Sequence, residues 1–417
     1  MFHLRRVKSI YLTKYILFKI EILEDIKHRF PVFFFDSTGT INKEIIGQNL
    51  PFFYSVTMYN ENKKCYIPMV EFFTTDQSQR SVTQFLTSAM FIISEYQKSK
   101  QFNQELIRNC IFVTDQSSVL INSVLKVINK CNLSQYIQWT FDIIMGGKDD
   151  ISYFKLMKTL IYYCATHFLK NVLKKTKKFT NNVKVKKAFV FCFSLIQNAT
   201  DLGQIENYID IIFTIFDSKF QDENVQSALD LLDQEIQSRQ LNYLYHSINK
   251  KNIQLDKSSE TLYIIKPESK NEIYVNSPYT KYYDKIFKNK KNLSFIKNDN
   301  NKKDKNKKLI DNLFYCPNLI SIIEEQMFSI PLWSGLMLKV FEIQNQNRKY
   351  LLPEPFTRLT NNPVETRIRI VKNNILKIER KNKKRKRCTL NEIKSKLFKN
   401  VKAIHKRYFK SRRRNKV

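Results

Sequence analysis

The sequence contains no cysteine pair with Cys-x-x-Cys spacing, and its seven cysteines are scattered along the chain. An odd number of dispersed thiols excludes a disulfide framework and a zinc ribbon, and it is typical of reduced, intracellular cysteines. No apolar run is long enough for a membrane span. The N-terminus, with Arg5, Arg6 and Lys8 before a mixed segment, lacks the apolar core of a signal peptide. The sequence therefore predicts no membrane partner.

Acidic residues are few. The chain has 38 of them against 71 lysines and arginines, a formal net charge of +33 that favours a polyanionic partner, most often nucleic acid. Glycine (6) and proline (10) are also scarce, whereas Lys, Asn, Ile, Phe and Tyr are used heavily, as in a chain encoded by AT-rich DNA. Because such coding raises the lysine content by itself, the distribution of charge is more informative than its sum. Residues 372–417 alone hold 20 basic and 2 acidic residues.

A compact apolar run at 31–35 ends at Asp36, and Ser-Thr-Gly-Thr follows it. This pattern predicts a buried strand that delivers a carboxylate into a turn, either as an Asx-turn cap or as a metal ligand. The motif also resembles the phosphorylated-Asp motif of the haloacid-dehalogenase superfamily and of P-type ATPases. Thr38 replaces the second aspartate of that motif, and 146–150 matches its later loop only loosely, so this interpretation is a minor rival.

The following segment alternates strand and helix signals. Two β-rich runs, 52–58 and 65–73, flank a polar turn and predict a hairpin. Apolar spacing predicts a helix at about 81–96. A second short apolar run ends at Asp115, and a helix is predicted from Ser117 to about Lys130. This order of strand with Asp, hairpin, helix, strand with Asp and helix is that of a ribonuclease-H-like core, in which two such aspartates share divalent ions.

Residues 151–175 have helical apolar spacing, which places Cys164 and His167 on one helix face. The plainest interpretation is a buried thiol and an imidazole with one hydrogen bond. Zinc is not expected, since two ligands are too few. Beyond a basic loop at 176–187, helices are predicted at 188–196, 205–216 and 225–244. From about 249 to 308 the composition shifts to Lys, Asn, Asp and Ser, which predicts a solvated, disordered insertion.

Order is predicted to return at Leu309. A last helix begins near Asn362, a good N-cap, with Pro363 at the first helical position and Glu365 two residues further on. An apolar stripe runs along this helix. Glu365 either completes a capping box or supplies a third carboxylate beside the two aspartates.

Together these motifs resemble the DDE transposases of the Mutator-like (MULE) group, over about residues 30–378. The residues that carry the resemblance are Asp36 in FFFDSTGT, Asp115 in IFVTDQSS, Cys164 and His167 in CATHFLKNV, and Glu365 in TNNPVETRIRIVK. The resemblance implies an α/β, ribonuclease-H-like core with a large helical insertion. It further implies DNA strand cleavage and strand transfer, with Asp36, Asp115 and Glu365 as ligands of two Mg²⁺ or Mn²⁺ ions. Cys164 and His167 are implied to support the active-site side of the insertion, in either a structural or a DNA-facing role.

The predicted organisation has five parts. They are an N-terminal helical segment (1–29), the first part of the core (30–175), a mostly helical insertion (176–330) with a disordered stretch at about 285–308, the completion of the core with the catalytic-Glu helix (331–378), and a basic tail (379–417).

The tail is the expected DNA-binding segment and the expected nuclear-localisation signal. Its candidate residues are Lys383, Lys384, Arg385, Lys386, Arg387, Arg412, Arg413 and Arg414. The resemblance implies transposon ends and target DNA as partners, with a homo-oligomer in a synaptic complex. The zinc modules that often accompany such transposases are absent from this sequence. The alternative is therefore a truncated or domesticated transposase-derived protein that binds DNA without cleaving it.

Overall fold

The computed structural model of the chain describes residues 31–39, 52–60, 65–99, 110–146, 156–238, 276–303 and 310–344, with 153, 368, 380–381, 384–385, 396 and 399. The chain divides into two compact units. The first comprises residues 1–133, 154–164 and 346–417, and the second comprises 134–153 and 165–345. The second unit covers the predicted insertion at 176–330 and extends past it at both ends. Residues 331–345, predicted to complete the core, belong instead to the helical unit.

The first unit contains a five-stranded mixed sheet, which confirms the predicted α/β class. β1 pairs with β2 antiparallel and with β4 parallel, β2 pairs with β3 antiparallel, and β4 pairs with β5 parallel. The resulting strand order is β3-β2-β1-β4-β5. The strands are β1 (Val32–Thr38), β2 (Phe52–Asn60), β3 (Cys65–Thr74), β4 (Cys110–Thr114) and β5 (Thr159–Tyr163). The predicted strands, the hairpin and the two following helices are confirmed within a few residues.

Two helices follow the hairpin and β4. α1 (Gln79–Ser99) packs on the sheet through Phe85, whose ring stacks on Phe72 of β3 with centroids 3.7 Å apart. α2 (Ser118–Val124) continues into a π-helical turn, Leu125–Asn129. The hydroxyl of Thr83 in α1 donates to the Ser123 hydroxyl in α2 at 3.1 Å. The two helices therefore form one layer.

The prediction of a continuous helix over 151–175 is wrong. Residues 159–163 form β5, a fully buried strand. The Asn129 side chain holds its first residue, because its Oδ1 accepts from Thr159 N and its Nδ2 donates to Thr159 O, both at 2.9 Å. A strand buried on both faces reads as an unbroken apolar run, so its sequence resembles that of a buried helix.

The second unit is helical. Trp333 is fully buried in its core, where its ring stacks on Phe168 at 4.5 Å and its Nε1 donates to the Gln326 carbonyl at 3.1 Å. Within the described residues, no helix combines the length and apolar character needed to cross a membrane. The helices from 133 onward are α3 (Leu133–Met145), α4 (Ala165–Thr176), α5 (Val183–Asn198), α6 (Leu202–Asp217), α7 (Glu223–Ser238), α8 (Pro278–Lys303), α9 (Ile320–Met327) and α10 (Leu336–Gln344).

Two further predictions need correction in this unit. The stretch at about 285–308 was expected to be disordered, but α8 extends through Lys303. Tyr279, Tyr283 and Phe287 recur every four residues and are buried, so they anchor a helix that its polar average composition conceals. The basic loop predicted at 176–187 is shorter than expected, because α5 already begins at Val183.

Candidate metal centre

Asp36 and Asp115 occupy matching positions on two neighbouring parallel strands at the centre of the sheet. The register of β1 and β4 pairs Phe35 with Thr114, so the next residue on each strand is Asp36 and Asp115. Cys164 N donates to the Thr114 carbonyl at 2.8 Å, which extends the β4–β5 ladder by one residue and places Cys164 beside Asp115. The carboxyl ends of β1, β4 and β5 therefore present two carboxylates and a thiol.

The same row continues across the hairpin. Asp36 pairs directly with Ser55 on β2, and Ser55 pairs with Glu71 on β3. Directly opposed residues of antiparallel strands share one face of the sheet. We call Glu71, Ser55, Asp36 and Asp115 the carboxylate row. The sequence predicted its two aspartates, whereas Ser55 and Glu71 were missed because they emerge only from the register of β1, β2 and β3.

The residues Glu71, Ser55 and Asp36 face away from α1. Side chains alternate along β3, so Phe72 projects from the face opposite to that of Glu71. Phe72 is the residue that stacks on Phe85 of α1. The layer formed by α1 and α2 thus covers one face of the sheet, and these polar residues lie on the other.

The turn after β4 fixes the backbone of Asp115. Ser117 N donates to the Asp115 carbonyl at 2.6 Å, and the Ser117 hydroxyl caps α2 by accepting from Leu120 N. Asp115 is thereby held just before the positive end of α2, a position that favours a carboxylate. On β1, Ser37 N donates to Oδ1 of Asp36 at 2.7 Å. Both aspartates are half-buried.

The side chains of Asp115, Cys164 and His167 form a compact cluster. One ligand atom from each lies within 4.8 Å of the other two. Cys164 is 1% exposed, whereas Asp115 and His167 are half-buried. Asp36 is not among these three residues and occupies the matching position one strand away. The predicted site residues that the structure brings closest together are thus Asp115, Cys164 and His167.

The oxygen donors of the carboxylate row fit a hard divalent cation. Mg²⁺ and Mn²⁺ prefer carboxylate, hydroxyl and water oxygens. Ser55 lies between Asp36 and Glu71, its side chain is fully buried, and its hydroxyl has no hydrogen-bond partner among the described residues. Since buried hydroxyls normally have partners, this orphaned oxygen beside two carboxylates is consistent with a site that binds a hydrated cation.

A second donor set is present at the same edge. The expectation that zinc is absent depended on there being only two ligands, Cys164 and His167, and Asp115 now adds a third. One thiolate, one imidazole and one carboxylate form the kind of mixed set that zinc accepts, with a fourth position for water or substrate. The sheet edge therefore holds oxygen donors of the kind that Mg²⁺ or Mn²⁺ prefers beside a softer donor set.

Three other thiols of the described residues are less suited to metal binding. Burial raises the pKa of the Cys110 and Cys192 thiols to about 12, and it raises that of Cys131 to about 12 as well. A raised pKa disfavours the thiolate, which is the form that binds metal. Cys164 is the cysteine that stands beside a carboxylate and an imidazole.

Several predicted site residues lie outside the described residues. These are Glu365, Lys383, Lys386, Arg387, Arg412, Arg413 and Arg414. Lys384 and Arg385 form a two-residue strand, β7, which pairs antiparallel with β6 (Arg380–Lys381). This short hairpin thus consists of basic residues on both strands.

Comparisons of the chain with protein-family models, with curated proteins and with solved structures find no match.

Proposed function

We propose that the chain is a metal-dependent polynucleotidyl transferase with a ribonuclease-H-like core, of the kind found in Mutator-like transposases. The observation that carries the proposal is the register of Asp36 and Asp115 on the neighbouring central strands β1 and β4. Two aspartates at the ends of such strands are what this chemistry requires. The order of strand, hairpin, helix, strand and helix supports the same conclusion.

In this proposal Asp36 and Asp115 hold two Mg²⁺ or Mn²⁺ ions, with Glu365, which lies outside the described residues, as a further ligand. Such an ion pair activates a water molecule or a 3′-hydroxyl and stabilises the leaving oxygen of a phosphodiester. The chain's own contribution is positional. The strand ladder fixes the backbone of Asp36, and the hydrogen bond from Ser117 N to the Asp115 carbonyl fixes the backbone of Asp115. Ser55 and Glu71 offer further oxygens on the Asp36 side.

Cys164 and His167 act in this proposal as positioning residues beside Asp115. A ligand atom of the buried thiol and one of the half-buried imidazole each lie within 4.8 Å of a carboxylate oxygen of Asp115. DNA is the proposed substrate and the nucleus the proposed location. The basic residues of the tail, including Lys384 and Arg385, are proposed to contact DNA phosphates.

A protein that binds DNA without cleaving it is the second candidate. One observation favours it. The ligand atoms within 4.8 Å of one another belong to Asp115, Cys164 and His167, and Asp36 is not part of that cluster. In that case the cluster would serve a structural role while the basic surfaces hold DNA.

A cleavage assay distinguishes the two candidates. Purified full-length protein is incubated with labelled duplexes that carry the inverted repeats flanking its coding sequence, in Mg²⁺, Mn²⁺ or EDTA. We expect divalent-dependent nicking that Asp36→Asn or Asp115→Asn lowers at least a hundredfold, because even outer-shell partners of metal ligands contribute roughly 10–100-fold. Asp233→Asn, which removes an exposed carboxylate of α7, is the matched control and should cleave normally.

Two results would contradict the proposed chemistry. Unaltered cleavage by Asp115→Asn would show that the carboxylate row is not part of the active site. Absence of cleavage by folded wild-type protein that still binds the same duplexes would support the second candidate.

A further inference from the structure

The helical hairpin formed by α4, the turn at 177–182 and α5 is strongly basic, and we call it the basic hairpin. Its residues, 165–198, include eight lysines and no acidic residue. Those lysines are Lys170, Lys174, Lys175, Lys177, Lys178, Lys184, Lys186 and Lys187. AT-rich coding raises the lysine content but does not remove acidic residues. The complete absence of acidic residues from this segment therefore needs a physical explanation.

The lysines of α4 lie on its outer side. Phe168, Leu169 and Val172 are buried and define the inner side of the helix. Lys170 and Lys174 are exposed, four residues apart, which is about 6 Å along a helix. They share their side of the helix with His167, which precedes them by three and seven residues.

Most of this charge is not neutralised within the described residues. Lys175 forms an ion pair with Glu325. Lys170, Lys174, Lys177 and Lys178 are exposed, and none of them forms an ion pair with a described residue. Within the part of the chain that the structure describes, their charge is exposed to solvent and not neutralised.

The lysines of α8 differ in this respect. Lys290 pairs with Asp210 at 2.6 Å, and Lys291 pairs with Glu324 at 2.5 Å. Lys290 and Lys291 of α8 are thus neutralised by carboxylates, whereas Lys170, Lys174, Lys177 and Lys178 form no ion pair with a described residue.

The start of α5 adds to the positive potential. Its N-cap is the neutral Asn182, whose Oδ1 accepts from Lys184 N at 2.9 Å and Val185 N at 3.4 Å. The first turn holds Lys184 and Lys186 and no acidic residue. A helix N-terminus already carries partial positive charge, so cations there destabilise the helix while making the position attractive to anions.

An aromatic side chain stands at the tip of the basic hairpin. Phe179 follows Lys177 and Lys178 in the turn and is 42% exposed, although most large apolar residues of this unit are buried. Exposed aromatic rings within basic surfaces provide stacking platforms for unpaired bases. The turn thus combines positive charge with a stacking surface.

We propose that the basic hairpin binds the phosphodiester backbone of DNA, and that Phe179 stacks on an unpaired base. The lysines neutralise successive phosphates, and the positive end of α5 adds to their attraction. An anionic membrane fits less well, because insertion requires an exposed apolar helix face and that of α4 is buried. This inference deepens the proposed function and rests on it for the choice of DNA as the polyanion.

Fluorescence anisotropy of the full-length protein with labelled single-stranded and duplex oligonucleotides tests the proposal. The measurements are made in EDTA, so that the proposed metal site takes no part. The variant K170Q/K174Q/K178Q removes three charges from the basic hairpin. K281Q/K285Q/K288Q removes three exposed lysines at similar spacing from α8 and is the matched control.

We expect K170Q/K174Q/K178Q, the α4 variant, to bind DNA at least tenfold more weakly than wild type. The slope of log affinity against log salt concentration for single strands should become shallower by about 2, since each of the three lost phosphate contacts contributes about 0.7. The α8 variant should stay within about twofold of wild type. Phe179→Ala should weaken single-strand binding about tenfold and duplex binding less, because stacking needs an unpaired base. Circular dichroism verifies that each variant is folded.

Equal affinities of the two triple variants would overturn the proposal. So would loss of binding to vesicles of phosphatidylserine and phosphatidylcholine in the α4 variant without any change in DNA affinity. The two proposals also fail separately. Protein that never cleaves but binds DNA through the basic hairpin overturns only the proposed function. Cleavage that persists while the two triple variants bind DNA equally overturns only this inference.

Discussion

The basic hairpin and the helical pair that follows it have opposite charge. Residues 165–198 contain eight lysines and no acidic residue, whereas residues 199–238 contain nine acidic residues and one lysine. An AT-rich coding sequence raises lysine everywhere, so it does not explain this separation. The difference indicates that basic and acidic residues are segregated between the two helical pairs. The net charge of +33 does not reveal this separation.

The two helical pairs nevertheless share one apolar core. Phe189 of α5 meets Phe216 of α6 edge to face at 5.2 Å. Trp333 stacks on Phe168 of α4 and lies 5.8 Å from Phe193 of α5. The contrast between the pairs is therefore confined to their outer surfaces, and it holds only while the core is intact.

Removal of the central indole should have the largest effect on stability. Trp333→Ala is expected to lower the free energy of unfolding by about 3–5 kcal/mol, because it leaves a large cavity against Phe168. Trp333→Phe should cost less. Urea denaturation followed by circular dichroism measures both. A loss below about 1 kcal/mol for the alanine variant would contradict a core role for Trp333 beneath the basic hairpin.

The junction between the two pairs offers a second test. A Cβ added at Gly335 would lie 2.7 Å from the carbonyl oxygen of Ala199, the first residue after α5 in the link to α6. Since that oxygen belongs to the backbone, Gly335→Ala should destabilise the protein by about 1–3 kcal/mol.

Gly203 in α6 provides the matched control. Its added Cβ would meet only the Asp201 side chain, at 3.3 Å, so Gly203→Ala should destabilise the protein less than Gly335→Ala does. Thermal unfolding compares the two variants. Equal melting temperatures would show that the junction is looser than its geometry indicates.

Neutralising the acidic surface should have a small effect of opposite sign to that of the lysine variants. Glu223, Asp230 and Asp233 are exposed on α7. E223Q/D230N/D233N is expected to raise DNA affinity less than about threefold near 0.1 M salt, since screening acts over about 10 Å. Anisotropy titrations at two salt concentrations measure the change. A loss of affinity would mean that these carboxylates of α7 contact the nucleic acid directly.

The smallest predicted effect concerns the contact between Glu206 of α6 and Tyr282 of α8. The Tyr282 hydroxyl donates a hydrogen bond to Glu206 at 2.5 Å. Burial, and to a smaller extent this hydrogen bond, raises the pKa of Tyr282 to about 12. Because this folded-state pKa exceeds the ordinary value of about 10, the stabilisation is complete below pH 10 and is lost as the pH rises through 12.

Tyr282→Phe should therefore flatten the fall in unfolding free energy between about pH 10 and 12. Denaturation curves of wild type and variant across this range provide the comparison. An unchanged pH profile would show that folding does not raise the pKa of Tyr282.

The sheet was largely predictable because its signals are local. Apolar runs ending at Asp36 and Asp115, and the polar turn between the hairpin strands, predicted β1, β2, β3 and β4. β5 was missed because its burial on both faces removes the alternation that identifies a strand. α8 was missed because its buried residues, Tyr279, Tyr283 and Phe287, are sparse among lysines and asparagines.

The candidate site was predictable only in part. Asp115, Cys164 and His167 were each noted in the sequence, but their proximity depends on the hydrogen bond between Cys164 N and Thr114 O. Ser55 and Glu71 carry no sequence signal of their own, since their place beside Asp36 follows from strand register. Glu365 remains a prediction from sequence.

The location of a bound divalent ion would test directly whether Asp36 and Asp115 share a metal. Crystals of the full-length protein grown with Mn²⁺ would be measured for anomalous scattering at the manganese edge. The proposed function predicts a peak coordinated by carboxylate oxygens of both Asp36 and Asp115, at about 2.1 Å for hard octahedral ions of this class. A metal bound by Asp115, Cys164 and His167 with Asp36 uncoordinated, or no metal at the ends of β1 and β4, would contradict it.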